Sequence, residues 1–131
     1  MIRPVLFWRQ AADLPALGVF GVGAKLDTGS RGTVVHATDL VTEGGQVRFT
    51  LHAAEGPVRC AAPLADMRRV TSSNGAAELR PFIRTPLSLA GLAPLEVEVS
   101  LSAREGMRFP MLVGRAALAG WGALVDSGGD G

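Results

Sequence analysis

Glycine and proline interrupt the chain at short intervals from end to end, 17 glycines and eight prolines in 131 residues, with no tandem repeat. Glycine loosens the backbone, and proline fixes φ while removing a hydrogen-bond donor. Helices of ordinary length do not run through such a pattern. Many short strands joined by tight turns do. Between the interruptions, Val47, Phe49 and Leu51 alternate with Arg48 and Thr50, while Leu95, Val97, Val99 and Leu101 alternate with Glu96, Glu98 and Ser100. A period of two sends successive side chains to opposite faces, so these runs predict strands of a sheet with one wet face. Turn signals fall at residues 43–46, 55–57, 73–75 and 90–91. One short helix is predicted over 115–119, between Gly114 and Gly120, followed by a strand near 123–125. The length fits a single domain, placed here at residues 1–126, with 127–131 as a flexible tail too small and polar to pack.

Charge and composition exclude several classes of function. A formal net charge of +1 gives no electrostatic footprint for nucleic acid or an acidic membrane. Five Phe, two Trp and no Tyr supply few platforms for stacking single-stranded bases. Cys60 is the single cysteine, which rules out an intrachain disulfide and a cysteine-rich zinc cluster and suits a reducing compartment. The apolar run at residues 5–8 is too short for a signal-peptide core or a membrane span, so a cytoplasmic location is expected.

The segment Lys25-Leu26-Asp27-Thr28-Gly29-Ser30 places an acid at the end of an apolar run, then a hydroxyl, then a residue with no side chain. A carboxylate so placed can activate water, the Thr hydroxyl can fix the loop, and Gly lets another backbone approach closely. Taken alone, the triplet also describes an ordinary turn. A second segment adds weight: Phe109-Pro110-Met111-Leu112-Val113-Gly114-Arg115-Ala116-Ala117-Leu118 is an apolar strand running into Gly, Arg and a short helix. Together, with Thr33-Val34-Val35 after the first loop, they resemble the retropepsins, a family of aspartic peptidases. The wider pattern includes Ser72, Ser73, Asn74 and Gly75, then Glu78, Arg80 and residues 83–87. It is similar to a bacterial branch described as ATP-dependent zinc proteases and associated with RimK-like ATP-grasp ligases.

That resemblance implies an all-β, retropepsin-like closed barrel-like protomer with one short helix near the C-terminus. It implies Asp27 as the catalytic acid, Thr28, Gly29 and Ser30 as its loop, and Gly114 and Arg115 as support beneath it. The turn formed by Ser72, Ser73, Asn74 and Gly75 lies where a flap over the substrate is expected. Two departures stand out. Retropepsins carry an acid two positions after the loop glycine, able to pair with the later arginine, and here that position is Arg31. Glu78 is therefore the expected partner of Arg115, since an arginine sunk beside a sheet needs a carboxylate. Residues 102–104 also lack the Asn expected in the bacterial branch.

Aspartic peptidases need two carboxylates sharing one proton, one to take a proton from water and one to protonate the scissile carbonyl. One good copy per chain implies a homodimer with Asp27 of each subunit at the two-fold axis, acting on a peptide or protein substrate. A second triplet, Asp126-Ser127-Gly128, is set aside because it lacks a downstream apolar-Gly segment and sits near the end of the sequence. No cofactor and no metal are expected. His36 reads as a partly buried residue hydrogen-bonded behind the loop, His52 as a surface residue at a strand end, and Cys60 as a small buried side chain. The sequence has no phosphate-binding glycine loop, so an ATP link would come from a partner such as the ATP-grasp ligase. The alternatives are a peptide-binding module on the same fold that does not cut, and a metal-dependent peptidase.

Overall fold

The computed structural model describes residues 2–71, 75–103 and 106–130. These form strands β1 (Val5–Leu14), β2 (Val19–Leu26), β3 (Thr33–Glu43), β4 (Gln46–Ala53), β5 (Gly56–Pro63), β6 (Asp66–Thr71), β7 (Ala77–Leu89), β8 (Leu95–Ser102) and β9 (Met111–Val113), then helix α1 (Arg115–Trp121) and strand β10 (Leu124–Asp130). The chain is mostly strand, as its turn spacing requires. Along one path the strands are ordered β10-β1-β2-β9-β3-β8-β7-β6, and a pairing of Ala12 and Asp13 in β1 with Leu89 and Ser88 in β7 closes the middle of that path into a ring. Strands β4 and β5 form a hairpin attached to β3.

The alternating segments do what their period dictates. Val47, Phe49 and Leu51 of β4 are fully buried, as are Val99 and Leu101 of β8, and they join Leu6, Leu14, Ile83, Leu87 and Met111 in one core. The connection between β3 and β4 is a two-residue turn, Gly44-Gly45, with φ of 62° and 76°. Positive φ at both positions matches the twist of the flanking strands, and glycine reaches it without a Cβ clash.

Three expectations are corrected. Helix α1 runs through Gly120 and stops at Gly122, whose φ is 64° and whose N–H bonds back to Ala119 O and Leu118 O. Gly120 lies within the helix, and its missing side chain leaves the space that Leu95 fills. The residues read as a tail from 127 onward continue as β10 to Asp130, since a strand added parallel to β1 needs backbone pairing and no apolar side chains. The outer face of β8 is wet at Glu96 and Glu98 but not at Ser100 or Ser102, which are buried. Among the described residues, no helix is long and apolar enough to cross a membrane.

On the outside of the ring, Arg68 of β6 spans to β8. Its guanidinium bonds both oxygens of Glu98 at 2.6 and 2.8 Å and Asp66 Oδ2 at 2.7 Å, and it lies 4.4 Å from the centre of the Phe82 ring. Hydrogen bonding to Arg68 holds both carboxyls below their ordinary values of 4.5 for Glu98 and 3.8 for Asp66. A group whose folded value is depressed stabilises the fold above its unfolded value, and that contribution is lost as pH falls through the folded value. The gap in melting temperature between wild type and Arg68→Ala is therefore expected to be widest above the ordinary carboxylate values of 3.8 and 4.5 and to close as pH falls below them. A gap that stays constant across this range in thermal melts would show that the cluster does not act through charge.

Candidate active site

Asp27 follows directly on β2, whose last residues are paired in parallel with β9: Lys25 with Leu112, and Leu26 with Val113. Strand β9 is also paired, antiparallel, with β3, through Val34 with Leu112 and Val35 with Met111. A three-residue strand is thus inserted between the two strands that enter and leave the Asp27 loop. The Asp27 N–H donates to Val113 O at 2.8 Å, and the Ser30 N–H donates to Asp27 O at 3.2 Å. The carboxylate itself is half-buried, and Oδ1 accepts the Gly29 N–H at 3.0 Å. Among the described residues this is the one hydrogen bond to the carboxylate.

The loop is clamped from below by the turn that leaves β9. Gly114 N–H donates to Thr33 Oγ1 at 3.2 Å, Arg115 N–H to Ser30 O at 2.7 Å and Ala116 N–H to Arg31 O at 3.1 Å. The first turn of α1 therefore spends its free backbone donors on the carbonyls of the Asp27 loop. This crossing demands glycine. A Cβ on Gly114 would lie 2.2 Å from Gly32 O and 2.6 Å from Arg31 O, both backbone atoms.

Arg115 is exposed, and its Nη1 donates to Thr28 O at 3.3 Å. Glu78, the expected partner, is engaged elsewhere: it accepts from Arg80 Nε at 2.9 Å and from Ser102 Oγ at 3.0 Å. The desolvation argument applies to a different arginine, because Arg80 is the buried one. The missed signal was local, since residues 78 and 80 share a face on any strand. Ser72, Ser73 and Asn74 lie outside the described residues; Gly75 is exposed, with φ of 86°.

The other candidates sit apart from Asp27. Asp126 is paired with Phe7 on β1, so β1 lies between it and β2. Two strand spacings put it on the order of 10 Å from the end of β2, too far to share a proton with Asp27. Its Oδ1 accepts the Gly128 N–H at 2.9 Å, a local turn like that at Gly29. His36 is half-buried, with its ring centre 5.5 Å from that of His52, but its Nδ1 has no partner. His52, expected at the surface, is half-buried and bonded to Thr38 Oγ1 at 2.9 Å. Cys60 is buried, and burial pushes its thiol up. Among the described residues no three His, Cys, Asp or Glu side chains converge.

The crossing yields a paired test. Gly114→Ala is expected to lower stability severely, because two backbone carbonyls cannot both move aside. Gly23→Ala is expected to be near neutral, because its new Cβ meets only Pro110 Cδ at 3.6 Å. Chemical denaturation of both variants checks this, and equal stability would refute the steric reading of Gly114.

Comparison with known proteins agrees with this geometry. The family model described as RimB-like, retropepsin-like aspartic endopeptidase RimB, matches residues 5–130. A protein of Shewanella pealeana named "probable alpha-L-glutamate ligase" is 38% identical over 120 residues, covering 86% of this chain and 26% of the relative. A protein of the same name from Desulfotalea psychrophila is 36% identical over 124 residues, covering 88% and 26%. The chain thus spans about a quarter of the length of the curated relatives it matches. A crystal structure of a Legionella pneumophila protein of unknown function shares the fold, with a TM-score of 0.79 at 21% identity over 98% of this chain and 97% of that one. A match across nearly the whole chain, over a fold with an Asp-Thr-Gly loop pinned by a Gly-Arg turn, means that the chain belongs to the RimB-like family of retropepsin-like aspartic endopeptidases.

Proposed function

We propose that this protein is an aspartic endopeptidase that works as a homodimer, with Asp27 of each subunit meeting at the two-fold axis. The observation that carries this reading is the Asp27 loop itself: a carboxylate with one oxygen fixed by the Gly29 N–H, on a backbone held by β9 and the turn into α1. Such rigidity suits a group that must hold a proton in one place. The second acid has to come from another chain, because Asp126 is separated from Asp27 by a whole strand.

In that arrangement one Asp27 carboxylate takes a proton from water, whose oxygen attacks the scissile carbonyl carbon. The partner subunit's Asp27, in its protonated form, donates to the carbonyl oxygen. Collapse of the tetrahedral species breaks the C–N bond as the amine leaves with a proton. Thr28 and Gly29 shape the loop, while Arg115 ties α1 to it through Thr28 O. The relatives named as glutamate ligases point to a substrate class, namely protein tails that carry added glutamate, and to a functional link with an ATP-grasp ligase. The same names also favour a second reading, in which the domain binds such tails for a ligase without cutting them.

Incubating the protein with glutamate-extended peptides and following the products by mass spectrometry separates the two. Asp27→Asn is expected to abolish cleavage while leaving fold and sedimentation unchanged, because Asn matches the shape of Asp but cannot relay the proton. Asp126→Asn is expected to retain activity. An active Asp27→Asn protein would remove the aspartic mechanism, and tight binding without cleavage by wild type would favour the binding module.

A further inference from the structure

Arg80 is the one charged side chain in the buried set among the described residues, only 7% exposed. Removing a guanidinium from water is costly, and a well-packed apolar side chain of similar size often holds such a position with equal or better stability. Its contacts suggest what else it does. Arg80 Nε donates to Glu78 Oε2 at 2.9 Å, and Nη1 donates to Ser100 Oγ at 3.4 Å. Ser100 Oγ in turn donates to Thr33 O at 3.4 Å. Thr33 Oγ1 accepts the Gly114 N–H at 3.2 Å, at the crossing beneath Asp27. From the other side, Ser102 Oγ bonds Glu78 at 3.0 Å, while Ser102 itself is paired with His36 on β3. The polar chain therefore runs from β7 through β8 to the first residue of β3 and ends on the Gly114 clamp.

Directions along this chain are consistent. A serine hydroxyl has one proton to give, and Arg80, a pure donor, leaves Ser100 only the role of acceptor toward it. The Ser100 proton is then turned toward Thr33 O. Glu78 holds Arg80 in place and is itself held by Ser102. At 3.4 Å the two serine contacts are long, so they orient Thr33 more than they bind it.

We propose that Glu78, Arg80, Ser100 and Ser102 are positioning residues that set the geometry of the Asp27 loop from β7 and β8 through Thr33. The proposal rests on the reading of Asp27 as the catalytic acid, and its test includes an arm that does not depend on activity. The informative variant is the double substitution Glu78→Leu with Arg80→Met, compared with each single change. Glu78→Leu leaves the buried Arg80 without its carboxylate, and Arg80→Met leaves the half-buried Glu78 without its cation; each is expected to lower the melting temperature, whereas the double variant is expected to recover it. Amide exchange at Gly114 and Arg115 is nevertheless expected to rise by about tenfold or more in the double variant, with Val99 in the core unchanged. On a cleaved peptide, kcat is expected to fall by about tenfold or more with KM little changed, since a small misplacement of the reacting groups has that effect.

Ser100→Ala keeps the Glu78–Arg80 ion pair but removes both the Arg80–Ser100 and the Ser100–Thr33 hydrogen bonds, so it carries the same test should the double variant fail to fold. Wild-type exchange at Gly114 in a folded double variant, or in Ser100→Ala, would overturn the proposal and leave the ion pair a purely structural feature. If wild type cleaves no peptide, the peptidase reading fails while the exchange measurement still decides the coupling.

Discussion

The molecule depends on one backbone crossing. Where the chain leaves β9 at Gly114 it passes so close to the carbonyls of Gly32 and Arg31 that a single methyl group would not fit. That approach lets Gly114, Arg115 and Ala116 donate to Thr33, Ser30 and Arg31, and it anchors helix α1 at the same time. Strand β9 then has partners on both edges, β2 and β3, although it is only three residues long. Without it the two strands flanking Asp27 would have unpaired inner edges, and the ring would open at its most important point.

How much of this was legible in the sequence depends on the range of the interaction involved. Local periodicity revealed β4 and β8, because Val47, Phe49 and Leu51, or Val97, Val99 and Leu101, carry their burial pattern within a few residues. The family was legible from two short motifs, Asp27-Thr28-Gly29 and the run into Gly114-Arg115. The insertion of β9 was not, since nothing near Leu26 announces a parallel pairing with Val113. The start of β10 was legible at residues 123–125, but its continuation to Asp130 was hidden for a related reason: its pairing with β1 is made by backbone, and Ser127 and Gly128 have no strand signature.

The misassigned arginine shows how sound physics can be applied to the wrong residue. A buried guanidinium does need a carboxylate, and Glu78 does provide one, but to Arg80 two residues along the same strand. Arg115 had no such need, being exposed and satisfied by the Thr28 carbonyl. Ser100 is the complementary case. Alternation placed it on the wet face of β8, yet it is buried, and a polar side chain there is tolerated because Arg80 and Thr33 offer hydrogen-bonding partners.

The pairing of Leu26 with Val113 also governs when the site comes into being. Those residues lie far apart in the sequence, and closing a loop of that length costs chain entropy before any contact repays it. During synthesis Asp27 leaves the ribosome before β9 and α1, so its platform is missing until they have followed and taken their places. The order of the chain thus acts as a timer, keeping the aspartate loop unassembled on the nascent polypeptide until almost all of the ring is there to hold it.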